Sequence, residues 1–344
     1  MNPYALSMIV SSLALGTILT LSSYHWILAW IGLEINTLAI IPMMTKTPHP
    51  RAIEAATKYF LTQAAASALI LFSSILNAYI LGEWAINTPT HPIPATLLSI
   101  AIAMKLGVAP FHFWFPEVLQ GSTLQTGLIL STWQKLAPMA LLLQLSQSVN
   151  LNLMLTLGLL STMIGGWGGI NQTQIRKILA FSSVAHLGWM VAILKISPQL
   201  TLMNFSLYIL MTSTLFMTFM TLNTKNMYEL STTWSKTPAL TALSMLSLLS
   251  LSGLPPLTGF LPKWFIAQEM IKQDMIMFAL VILLSTLLSL FFYLRLTYSM
   301  SLTLAPSLSS SSSLWFSPPK NTLATPMILS LLLLPVAPTI MAMI

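Results

Sequence analysis

Four ionisable side chains stand isolated in long apolar runs. Glu34 is the only charge between Met1 and Thr45, Lys135 the only one from Val118 to Ile175, and Lys263 the only one between Thr237 and Gln268; Lys105 lies about a dozen residues into a further apolar run. Only 6% of the chain is charged. At the centre of a membrane helix each such charge costs roughly 2.5–3.5 kcal/mol, so a chain that retains several uses them. The chemistry open to one carboxylate and three amines in a poor dielectric is proton transfer. A lone buried ammonium tends to shed its proton, whereas a carboxylate beside it holds the proton on. We therefore expect Glu34 to pair with Lys105, and the making and breaking of that pair to drive a proton to Lys135 and onward to Lys263. Moving one charge against 100 mV costs about 2.3 kcal/mol, a scale that breaking such a pair can match. His186, with Ser182 and Ser183 close by in the chain, is a further relay candidate because imidazole titrates near neutrality. His112 and Lys58 are secondary relay candidates. Each has a plainer reading: a static ion pair for Glu34 and Lys105, a snorkelling lysine at 263, a hydrogen-bonded structural histidine at 186, an interfacial anchor at 112, and a helix-stabilising i,i+4 pair of Lys58 with Glu54.

The elements that must position these groups are membrane helices. The chain has 344 residues, is 56% hydrophobic and has a mean hydropathy of +0.81, and it lacks the alternating pattern of a membrane barrel. The expected fold is all-α and polytopic, with about eleven spans: 3–21, 25–44, 56–81, 94–119, 123–146, 151–170, 175–196, 200–222, 239–270, 275–302 and 324–343. The start reads as the first helix, not as a removable leader. Two spans are long and interrupted. One carries Gly107 and Pro110 just after Lys105; the other carries Gly253, Pro255, Pro256, Gly259 and Pro262 just before Lys263. Proline removes a donor and frees a carbonyl, and broken backbone at membrane depth is tolerated only inside protein or beside water, so the breaks bring polar groups to the lysines.

Helices one to five (1–148) and six to ten (149–303) read as two repeats, each with its broken helix (94–119 and 239–270) fourth. Lys105 and Lys263, Glu34 and His186, and Lys135 and Arg295 recur at offsets of 158, 152 and 160 residues. An odd number of helices per repeat makes the two inverted, as in secondary transporters. A Ser/Pro-rich linker (304–323) leads to a last helix (324–344). Basic residues collect in the loops after even-numbered helices, which sets the N-terminus on the matrix or cytoplasmic side and the C-terminus opposite. Their scatter speaks against nucleic acid. Zero cysteines exclude disulfides and thiolate-held iron–sulfur clusters, and five scattered histidines show no haem or zinc spacing, so neither cofactor nor metal is expected in this chain.

Four strings carry a resemblance over the full length: Trp30-Ile31-Gly32-Leu33-Glu34-Ile35-Asn36; Lys105-Leu106-Gly107-Val108-Ala109-Pro110-Phe111-His112-Phe113-Trp114; Asn171-Gln172-Thr173-Gln174-Ile175-Arg176-Lys177-Ile178-Leu179-Ala180; and Gly253-Leu254-Pro255-Pro256-Leu257-Thr258-Gly259-Phe260. With these the chain resembles the antiporter-like membrane subunits of mitochondrial NADH:ubiquinone oxidoreductase, respiratory complex I, in their vertebrate form. The resemblance implies proton translocation in the inner membrane, coupled to electron transfer carried by NADH, flavin, iron–sulfur clusters and ubiquinone in other subunits. It implies the other membrane-arm subunits as partners, neighbouring antiporter-like ones among them, and even-loop lysines suited to cardiolipin. The family's glutamate falls on Glu34, its broken-helix lysine on Lys105, its central lysine on Lys135 and its second broken-helix residue on Lys263. About three N-terminal helices of bacterial relatives have no counterpart here, which exposes a different lateral surface. The rival readings are a sodium/proton antiporter subunit of Mrp type and a scaffold that pumps nothing.

Overall fold

The structure, a computed structural model, describes residues 2–46, 48–86, 88, 90–235, 237–302, 323–333 and 335. Among them it is helical throughout, with no strand. The helices are α1 Pro3–Ser22, α2 Trp26–Met44, α3 Pro50–Leu81, α4 Pro92–Leu106, α5 Trp114–Gly121, α6 Leu124–Ser131, α7 Trp133–Gln144, α8 Leu151–Ile170, α9 Ile175–Ile193, α10 Pro198–Leu222, α11 Met227–Ser231, α12 Pro238–Ser252, α13 Phe260–Lys272, α14 Ile276–Ser301 and α15 Ala324–Leu332. Six of them, α1, α2, α3, α8, α10 and α14, are long and apolar enough to cross a membrane by length and composition. The chain divides into two compact units, Met1–Ser161 with Met190–Pro198 and Thr162–Trp189 with Gln199–Ile344.

In the first unit helix starts are written in the sequence. Pro3, Pro50 and Pro92 open α1, α3 and α4, where the missing N–H would find no partner anyway. Three histidines act as N-caps: His25, His49 and His91 accept hydrogen bonds from the backbone N–H groups of Ile27, Arg51 and Ile93. The His49 cap starts α3 six residues before the expected 56, so Glu54 and Lys58 lie on the helix. Glycine sets how close α1 and α2 come: a Cβ on Gly16 would lie 2.9 Å from the Gly32 carbonyl. The expected span 123–146 is divided at Thr132, which has φ −113° and ψ −69° and whose backbone N–H and hydroxyl both donate to the Leu128 carbonyl.

Each unit also contains the same two local devices. An isolated antiparallel bridge joins the residue before its second helix to the segment after its third: His25 to Ala85, and Gln174 to Asn226. And each has a helix ended by a left-handed glycine, Gly107 at φ 74° and Gly253 at φ 83°, followed by a turn and a short second helix. The turns carry matching hydrogen bonds, from the N–H of Val108 to Ala103 O and of Phe111 to Val108 O, and from Leu254 to Leu249 O and Leu257 to Leu254 O. Gly107 and Gly253 are 146 residues apart, as are Pro110 and Pro256. The lysines are not in that register. Lys105 sits two residues before its glycine and Lys263 ten after, so the residue matching Lys263 in the first break is Glu117. Apart from Leu323, the expected Ser/Pro linker lies outside the described residues, as does most of the last helix beyond Leu333.

Candidate functional site

The first unit holds a small, partly open cavity of about 20 Å³, room for roughly one water. Its polar lining is Asn36 and Thr37 from α2, Tyr59 and Gln63 from α3, Lys105 from α4, and Gln134 and Lys135 from α7, with Trp114 and Phe115 among the apolar walls. The breaks explain how these groups meet. Gly107 turns the chain just after Lys105, so that α5 returns Trp114 and Phe115 over the lysine. The indole N–H of Trp114 donates to the Met104 carbonyl at 3.2 Å and closes the turn. Gln63 donates to the Lys105 carbonyl at 3.5 Å and Gln134 to the Asn36 carbonyl at 3.0 Å, so two amides tie four helices around the space, α3 to α4 and α7 to α2.

Lys105 and Lys135 are buried, at 6% and 3% exposure. The Lys135 ammonium lies 4.6 Å from the centroid of the Phe115 ring, where the aromatic face partly replaces the water it has lost. Glu34, half-buried in mid-α2, stands beside the cavity, and its charge acts on both Lys105 and Tyr59. The expected Glu34–Lys105 pair is open: Glu34 Oε2 and Lys105 Nζ are both buried, and neither has a hydrogen-bond partner.

The remaining candidates sit elsewhere. Lys58 bonds two carboxylates, Glu54 at 2.6 Å and Glu117 at 2.7 Å, and thus ties α3 to the second half of the broken helix. His112 lies in the turn itself, buried at 3% exposure and hydrogen-bonded to the Pro110 carbonyl, with its ring 4.2 Å from that of Phe113. In the second unit Lys263 is the fourth residue of α13. Its ammonium reaches back over Gly253 to the carbonyl of Ser252 at 2.6 Å, the last residue of α12, so it satisfies an acceptor that the break set free. Pro255, Pro256, Gly259 and Pro262 form the turn and helix start that aim it. His186 is buried in α9, its ring 5.8 Å from that of Tyr208. Arg295 donates to the carbonyls of Ile170 and Gln172 and closes the end of α8. Among the described residues no three of His, Asp and Glu gather as a metal ion requires.

Residue reasoning alone passed over Tyr59, Gln63, Asn36 and Gln134. A signal for two of them exists, since Tyr59, Gln63 and Ser67 recur every fourth residue and form a polar line on one face of α3.

Residues 23–289 match the family described as NADH:quinone oxidoreductase/Mrp antiporter, TM, and residues 290–341 match NADH dehydrogenase subunit 2 C-terminus. The chain is 61% identical to NADH-ubiquinone oxidoreductase chain 2 of Aquarana catesbeiana over 99% of both chains, and 60% identical to that of Xenopus laevis over 98% of this chain and 99% of the relative. Among solved structures it is similar to a chain of respiratory complex I from Thermus thermophilus, with a TM-score of 0.83 and 26% identity over 96% of this chain and 80% of that one. A chain of the Mrp complex from Dietzia sp. shares the fold, with a TM-score of 0.79 at 18% identity over 87% of this chain and 60% of that one.

Proposed function

The chain belongs to the NADH:quinone oxidoreductase/Mrp antiporter family of membrane subunits, and from that premise we propose that it translocates protons in the membrane arm of respiratory complex I. Its place is the mitochondrial inner membrane. Electron transfer from NADH to ubiquinone takes place in other subunits, and this chain converts the energy released into proton movement. The observation that carries the reading is the open Glu34–Lys105 pair beside a polar cavity that also holds Lys135. When the pair closes, Glu34 stabilises the charged form of Lys105; when it opens, Lys105 gives its proton to Lys135 through the cavity. His186 and Lys263 continue the path in the second unit, with His112 and Lys58 at its side.

The finer architecture belongs to the same proposal. Eleven spans make two inverted repeats of five, at 1–148 and 149–303, plus a last helix, with the N-terminus in the matrix and the C-terminus in the intermembrane space. The paired bridges and the two breaks in common register support the repeat. Neighbouring antiporter-like subunits pack on its flanks, and cardiolipin suits its matrix-side lysines.

The test is proton pumping per electron in sealed vesicles with Lys105→Ala. A fall is expected with NADH oxidation retained; an unchanged ratio in an intact assembly removes the relay role. Sodium-dependent transport by the chain alone would favour the Mrp-type alternative instead.

A further inference from the structure

Tyr59 is the least explained group at the cavity. It is 2% exposed, its ring packs against Trp114 at 5.8 Å between centroids, and phenylalanine would serve that packing as well. A buried hydroxyl has a desolvation cost that a phenyl ring avoids. Tyr59 shares the cavity with Lys105 and Lys135, and it lies in the field of the Glu34 carboxylate.

The second unit supplies an independent observation. Glu34 lies nine residues after the bridge residue His25, and Ser183 lies nine after Gln174. Tyr59 follows Glu34 by 25 residues, and Tyr208 follows Ser183 by 25. Tyr208 is fully buried, its hydroxyl is hydrogen-bonded to Ser183, and its ring faces the relay candidate His186. The acid stands in one unit only, and the register position of Lys105 is occupied by Leu251 in the other. The tyrosine stands in both.

We propose that Tyr59 is a proton-transfer group of the first unit, its hydroxyl linking Lys105 to Glu34 across the cavity. A proton leaves the Lys105 ammonium for the Tyr59 oxygen, directly or through a water, while the Tyr59 hydroxyl proton passes to the Glu34 carboxylate. The lysine ends as a neutral amine, the glutamate as a neutral acid and the tyrosine as it began. The exchange discharges the pair without its two ends meeting, and the reverse transfer recharges it. The inference rests on the proton-translocation reading above.

The experiment measures protons pumped per electron, and NADH oxidation in uncoupled vesicles, for the assembled complex with Tyr59→Phe, Tyr59→His and, as reference, Lys105→Ala. Removing a positioned proton-transfer group slows its step by about 100-fold or more. Tyr59→Phe is therefore expected to lower the pumping ratio with assembly and uncoupled oxidation retained. Tyr59→His, which carries protons through its ring, is expected to restore part of it with a new pH dependence between pH 5 and 8. Wild-type pumping by Tyr59→Phe with impaired Lys105→Ala overturns the tyrosine role and leaves the reading standing; wild-type pumping by both removes the reading as well. Failure of Tyr59→Phe to assemble would make the hydroxyl structural and overturn the inference too.

Discussion

An ammonium with a hydrogen bond and an ammonium without one respond differently to removal. Lys263 holds the Ser252 carbonyl, so Lys263→Met leaves a buried acceptor without its partner, at about 1–3 kcal/mol. Lys105 Nζ has no such bond to lose. The expected outcome is a lowered thermal midpoint of the purified complex for Lys263→Met and a near-native one for Lys105→Met, the reverse of their order in proton pumping. At this scale the sequence was informative about which residues are charged in apolar surroundings, because isolation of a charge is visible in one dimension. It was silent on partners. That Lys58 also holds Glu117, 59 residues on, depends on a turn that carries α5 back to α3, and a hydrogen bond to a backbone carbonyl, such as that of Lys263, has no residue signature at all.

The broken helices work because a glycine reverses the backbone where a side chain could not. Gly82 and Gly253 both have positive φ, but nothing lies within 4 Å of a Cβ at Gly82, whereas at Gly253 that atom would come 2.7 Å from Lys263 Nζ. Gly82→Ala thus reports the backbone cost alone, about 1–3 kcal/mol. Gly253→Ala adds displacement of the lysine and is expected to lower the thermal midpoint further. Combining it with Lys263→Ala should cost less than the sum of the two single changes, since both disturb one contact. Breaks at Gly-Pro clusters were legible because glycine and proline interrupt a helix by known mechanisms. Their register was not: intramembrane charges suggested offsets of 152 to 160 residues, while the backbone turns match at 146. The charges and the backbone turns thus follow different spacings. Nor did the apolar run at 123–146 announce its division at Thr132, which carries no glycine or proline to mark it.

Across the whole molecule, hydropathy and punctuation were enough for the helical membrane class, and four short strings were enough for the family. Sidedness rests on fourteen basic against seven acidic residues and their distribution. It has a direct check. The chain contains no cysteine, so Lys46→Cys and Glu83→Cys, both exposed and separated by α3, give single labelling sites. An impermeant maleimide is expected to reach this chain at residue 46 from the matrix face and at residue 83 from the opposite one; labelling of both from one face refutes the assigned topology.

The three histidine caps show how most of this chain's imidazoles are used. A ring nitrogen that accepts a backbone N–H must keep its lone pair, so His25, His49 and His91 are held as the tautomer with hydrogen on Nε2. Three of the five imidazoles in the chain are thereby committed through Nδ1 to starting α2, α3 and α4, a task usually left to Ser, Thr, Asp or Asn.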